Sequence, residues 1–142
     1  MRANKLKQIW ASGKAATNCW LMLPTAIAAE MLAHQGWDSL TVDQQHGQAD
    51  HAAMVAMLTA ISTTDATPLV RVKWNDPGDI MRALDAGAYG VICPMIETAE
   101  DCARFVGACR YAPAGYRSYG PRRAEVYGGT GYFEQANDLL LT

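Results

Sequence analysis

Four short strand-like runs, each followed by a helical segment, recur along the chain at spacings of roughly 20 to 30 residues, the period of βα repeats. They are "NCWLML" (18–23), "DSLTVD" (38–43), "TPLVRV" (67–72) and "YGVICPM" (89–95). Each reads as a continuously apolar, buried strand, as parallel strands covered on both faces are. The helical partners carry their own punctuation. Thr25 stands as N-cap to "TAIAAEMLAHQG", with Gly36 as its stop. Asp50 can cap "HAAMVAMLTAIS", where Met54, Val55, Leu58 and Ile61 share one face. Asn75 or Asp76 precedes Pro77 near a first helical position, and Gly87 closes that helix. Thr98 and Asp101 have the spacing of a capping box, with Asp in place of the usual Glu. Ahead of all four units, residues 5–11 form a short polar helix. Two architectures fit this rhythm: an open doubly wound sheet and a (β/α)8 barrel. In both, chemistry collects at the C-terminal ends of the strands.

The chain of 142 residues makes one domain, 1–142. Half of it is hydrophobic and 18% is charged, which is globular composition. A net charge of −2 forces no basic face, so no nucleic-acid partner is expected. Cys19, Cys93, Cys102 and Cys109 have neither C-x-x-C nor zinc spacing and read as reduced thiols. No signal-peptide core precedes the first strand and no run reaches membrane-spanning length, so the expected location is the cytoplasm, away from any membrane. Past Arg110 the pattern changes. "YAPAGYRSYGPRRAEVYGGTGYFEQAND" is rich in Gly, Tyr and Arg and reads as a long loop with room for one short helix. Residues 139–141 look like the start of a fifth strand.

The second strand ends in an acid and a histidine three residues apart, Asp43 and His46, where such folds keep catalytic groups. His46 could serve as a general base, with Asp43 orienting its imidazole; the plain alternative is a loop histidine without a role. Arg71, after three apolar residues, must enter a polar site or pair with a carboxylate. Its fork suits a carboxylate or enolate, or a structural ion pair. Asp85 lies at the end of the third of these helices, where an acid opposes the helix dipole. Glu97, Glu100 and Asp101 read as dipole complements, Glu30 as a packed or solvated acid, and His34 and His51 as helix residues. Lys73 is the one tempting Schiff-base candidate. The arginines and tyrosines past residue 110 suit a loop over an anionic small molecule or an oligomer contact. "GGTG" lacks the spacing of a phosphate loop.

Taken together, "GWDSLTVDQQHG", "TPLVRVKWNDPGDIMRALDAGAYGVICPMIETAEDC" and "CRYAPAGYRSYGPRRA", in this order, resemble the HpcH/HpaI aldolase family. The resemblance implies a (β/α)8 barrel of the phosphoenolpyruvate/pyruvate type, of which these residues supply about the first four βα units. It also implies a class II aldolase that cleaves a 4-hydroxy-2-oxo acid to pyruvate, or a related 2-oxo acid, and an aldehyde. A divalent cation (Mg2+, Mn2+ or Co2+) is implied, as is a homo-oligomer with active sites near subunit contacts. The catalytic histidine of the family falls on His46, the acid of its D-x-E-H motif on Asp43, and the enolate-stabilising, substrate-binding arginine on Arg71. The acid that assists the histidine across a subunit contact falls on Asp85. Gln45 replaces the family's Glu; Ala112 and Ser118 depart from its R-Y-P-P-x-G-x-R-G loop. The family's Glu and Asp metal ligands would follow the fifth and sixth strands, beyond Thr142, so no metal ligand is assigned within these residues, and 1–142 alone is expected to be inactive. The rival readings are a non-catalytic half-barrel binding or assembly module, and a citrate-lyase-like acyl-CoA lyase, against which Asp43-x-x-His46 argues.

Overall fold

The computed structural model describes residues 2–142. After helix α1 (Lys5–Ala11), the chain alternates β1 (Asn18–Leu21), α2 (Ala26–Ala33), β2 (Ser39–Asp43), α3 (His51–Ile61), β3 (Thr67–Arg71), α4 (Pro77–Asp85), β4 (Gly90–Ile92) and α5 (Ala99–Cys109). The strands form one parallel sheet in the order β1-β2-β3-β4. The register sets Asp43 beside Arg71 and Arg71 beside Ile92 at the C-terminal edge.

Local chemistry accounts for the helix starts. Asp50 accepts from the Ala53 N–H at 2.8 Å, and Asp76 accepts from the Asp79 N–H at 3.0 Å with Pro77 in the first helical position. Thr98 and Asp101 form a reciprocal capping box. Thr25 occupies the N-cap position of α2 without a side-chain cap bond. Gly87 ends α4 at φ +100°, a conformation that disfavours a Cβ.

The core lies between the outer face of the sheet and the helices. Leu21, Leu40, Val42, Val70 and Val91 point outward onto Ala29, Met54, Leu58, Ile61, Ile80 and Leu84, all buried. The inner face is different. In β2 it presents Ser39, Thr41 and Asp43, all buried, and Asn18 accepts from Ser39 at 2.9 Å and from Thr41 at 3.0 Å. The strand is therefore two-faced, and the expected continuous apolar run holds only for its outward residues. This concave face bounds a cavity of about 380 Å3 with Leu6, Trp10, Leu69 and Leu141 on its walls.

Three further expectations are corrected. The first strand is shorter than residues 18–23 and only Leu21 in it is fully buried, because β1 is an edge strand with a single paired neighbour. The fourth spans Gly90–Ile92 rather than 89–95. The segment past Arg110 holds two helices, α6 (Arg122–Gly128) and α7 (Tyr132–Leu139), where a loop with one short helix was expected. Their signal is weak because polar anchors fasten them. Arg123 donates to the Leu58 and Ala86 carbonyls at 3.1 and 2.9 Å, and to Ser62 and Thr59, both at 3.0 Å. It thereby ties α6 to the last turns of α3 and α4. Of the expected start of a fifth strand at 139–141, Leu141 bridges Gly90 in parallel, beyond β4, while Leu139 still belongs to α7.

Candidate active site

At the C-terminal edge of the sheet one carboxylate organises its surroundings. Asp43 is fully buried and accepts five hydrogen bonds. Arg71 meets it side-on, Nε to Oδ1 at 2.9 Å and Nη2 to Oδ2 at 2.6 Å. Trp20, from the end of β1, donates to Oδ2 at 3.1 Å while its ring lies 4.8 Å from the Arg71 guanidinium carbon. The N–H groups of Gln45 and His46 donate to Oδ1 at 3.0 and 3.3 Å. Burial raises the Asp43 carboxyl, but the hydrogen bonds from Arg71, Trp20 and the two backbone N–H groups outweigh it and hold the group far below the ordinary carboxylate range. The hydrogen bond to Asp43 in turn holds the Arg71 cation firmly charged.

The loop after Asp43 is fastened on both sides. Gln44 N–H donates to the Arg71 carbonyl at 2.9 Å and Gln48 N–H to the Met22 carbonyl at 3.0 Å. Gly47 folds back so closely that a Cβ there would lie 2.2 Å from the Asp43 carbonyl oxygen. His46 sits at the crest of this loop, exposed, its ring free of hydrogen bonds to the described residues. The expected pairing of Asp43 with the imidazole is corrected: Asp43 holds His46 through its backbone N–H, since both carboxylate oxygens are already taken by Arg71 and Trp20. Arg71 spends Nε and Nη2 on Asp43, leaves Nη1 without a partner among the described residues, and keeps 21% side-chain exposure.

The remaining candidates lie apart from this group. Asp85, the last residue of α4, is at the far end of that helix from the strand-end site and accepts from the buried Arg117 at 2.8 Å. Within one chain it is not brought to His46. Lys73 is exposed and pairs with Asp79 at 3.8 Å. His34 is the C-cap of α2 and His51 the first residue of α3. Trp20 was missed at sequence level; a tryptophan ending an edge strand reads as core until its indole N–H is seen to find Asp43.

The family model for HpcH/HpaI aldolase/citrate lyase matches residues 16–141. The chain belongs to this family. It is 42% identical over 138 residues to a hydroxypyruvate/pyruvate aldolase of Rhizorhabdus wittichii, covering 97% of this chain and 55% of that protein. It is 34% identical over 140 residues to a 4-hydroxy-2-oxo-heptane-1,7-dioate aldolase of Salmonella dublin, covering 96% and 53%. A crystal structure of an HpcH/HpaI aldolase/citrate lyase family protein from Burkholderia cenocepacia superposes with a TM-score of 0.87 at 34% identity, over 97% of this chain and 58% of that one. The chain thus spans about half the length of the curated relatives it matches. HpcH/HpaI aldolases are generally metal-dependent, but among the described residues no three His, Cys, Asp or Glu side chains gather into a cation site. Asp43, the one buried strand-end carboxylate among the described residues, is occupied by Arg71, Trp20 and the loop N–H groups. The donors present here do not by themselves fit a metal. No described helix is long and apolar enough to cross a membrane.

Proposed function

We propose that these residues form the base-and-arginine half of a 2-oxo acid aldolase site, for cleavage of a 4-hydroxy-2-oxo acid to pyruvate, or a related 2-oxo acid, and an aldehyde. The observation that carries the reading is the side-on Asp43–Arg71 pair, which also suspends the His46 loop. His46 takes the proton of the 4-hydroxyl, directly or through one water. The C3–C4 bond breaks, the aldehyde leaves, and the electron pair passes to the 2-keto oxygen as an enolate, which takes the proton back from His46 at C3 to give the 2-oxo acid. Arg71, charged and locked in orientation, directs its unpaired edge at that oxygen. Asp43 fixes both groups without touching the substrate, so it is a positioning residue. Asp85 meets His46 of a second copy, in a homo-oligomer. The implied divalent cation would be held by ligands outside residues 2–142, and no step is assigned to it here.

The test is a chimera that joins this chain to the remaining half of the Rhizorhabdus wittichii hydroxypyruvate/pyruvate aldolase, assayed by exchange of pyruvate methyl protons into D2O with added divalent cation. Exchange is expected, and His46→Ala or Arg71→Met should each lower it at least 100-fold, the scale of a lost general base or oxyanion donor. A folded chimera that exchanges equally well with either substitution would refute the assignment.

A further inference from the structure

A second group of charges occupies the groove between α3 and α4, beneath the segment that leads into α6. Its cavity, about 260 Å3, is lined by His51, Val55, Arg82, Asp85, Arg122 and Arg123, among others. Arg123 is consumed by the ends of α3 and α4. Asp85 is matched by Arg117, whose side chain is wholly buried and lies 4.5 Å from the Tyr111 ring centroid. The acids nearest His51 are also engaged, Asp50 by the Ala53 N–H and Asp79 by Lys73. Arg82 and Arg122 differ from all of these. Both are exposed, and neither guanidinium forms an ion pair or donates a hydrogen bond within the described residues. The groove therefore keeps an uncompensated positive charge on two planar forks, the geometry that grips an oxyanion by two oxygens.

We infer that Arg82 and Arg122 form an oxyanion subsite that holds the distal carboxylate or phosphate of the acceptor aldehyde. This rests on the reading above, in which Asp85 faces His46 of a second copy. The arginines line the same cavity as Asp85, so an acceptor bound at that His46 has its far end between them. The subsite would favour an aldehyde bearing an anionic group over a neutral one of similar length.

The direct test is calorimetric titration of the 142-residue chain with succinate and with inorganic phosphate at low salt, for the parent and for the Arg82→Gln/Arg122→Gln double variant. The parent should bind at least one of the two, and the double variant at least tenfold more weakly, with an unchanged urea midpoint to show that it folds. Binding of succinate alone assigns a carboxylate, and of phosphate alone a phosphate. Binding of neither, or equal binding by the double variant, overturns the subsite. Pyruvate proton exchange in the chimera needs no acceptor and reads the aldolase assignment separately. In the same chimera the double variant should lose at least tenfold in its kcat/KM preference for a carboxylate-bearing over a neutral aldehyde. An unchanged preference also overturns the subsite.

Discussion

Replacing Asp43 by Asn keeps the shape of the side chain and removes its charge, which isolates what the buried carboxylate does for the fold. The amide oxygen can take the Oδ1 position and keep the Gln45 and His46 N–H groups and Arg71 Nε. The amide nitrogen then takes the Oδ2 position and faces two donors, Trp20 Nε1 and Arg71 Nη2. The opposite orientation would face three. Removing one partner of a buried ion pair typically costs ~3–5 kcal/mol. Arg71 keeps 21% exposure and can be partly rehydrated, which argues for the low end, ~3 kcal/mol. With an m-value of about 2 kcal/mol/M, the urea midpoint at pH 7 should fall by about 1.5 M. The pH dependence has a definite sign. The Asp43 carboxyl is depressed in the folded protein, so its contribution is complete above the unfolded value, about 3.9, and fades as pH falls toward the folded value. The gap between parent and Asp43→Asn should therefore narrow below about pH 4. A midpoint shift worth less than about 1 kcal/mol at pH 7, or a gap that does not narrow on acidification, would refute the view that Asp43 is a stabilising charged hub.

Gly87→Ala should destabilise the chain by about 2 kcal/mol in urea, since φ is +100° and the new Cβ would lie 2.3 Å from the anchored Arg123 Nη1. Arg123→Met should lower stability by a similar ~2 kcal/mol and speed amide hydrogen exchange in α6 well beyond that in α3, because four hydrogen bonds to the helix ends are lost. Burial pushes the thiols of Cys93 and Cys109 up to about 11 and about 12, so both should react slowly with a disulfide reagent at pH 8 while the exposed Cys102 reacts fast; urea should equalise them. His46→Ala should leave the urea midpoint within about 0.5 kcal/mol of the parent, because an exposed ring without hydrogen bonds holds nothing in place.

The βα rhythm was legible because it is written in local chemistry. The caps at Asp50, Asp76 and Thr98 and the stop at Gly87 act within a few residues, and each is found where the sequence puts it. The two last helices were not legible for the converse reason. α6 is seven residues long, and its hold on the fold comes from Arg123 bonds to residues about sixty positions earlier. The inner face of β2 was in plain view as Ser39, Thr41, Asp43 at every second position. Its meaning is hidden by burial on both sides of the strand, which ordinarily goes with apolar residues on both.

The same distinction explains why the pairing of Asp43 with His46 was foreseen in place but not in form. A spacing of three residues states only that the two groups lie near one strand end. It cannot state which donor a carboxylate will satisfy. Three donors reach Asp43 from elsewhere: two from Arg71, its register partner on β3, and one from Trp20, at the end of β1. A charged guanidinium that meets the carboxylate side-on has a stronger claim on its oxygens than a neutral imidazole free to meet water. The loop then takes the remaining lone pairs with its own N–H groups, and His46 is pushed outward as a consequence. Its exposure follows from the demands of Arg71. Under the function proposed above, a histidine that takes its orienting acid from a second copy is served by such outward presentation, and an arginine that meets an enolate by a fixed edge. One buried carboxylate supplies both conditions.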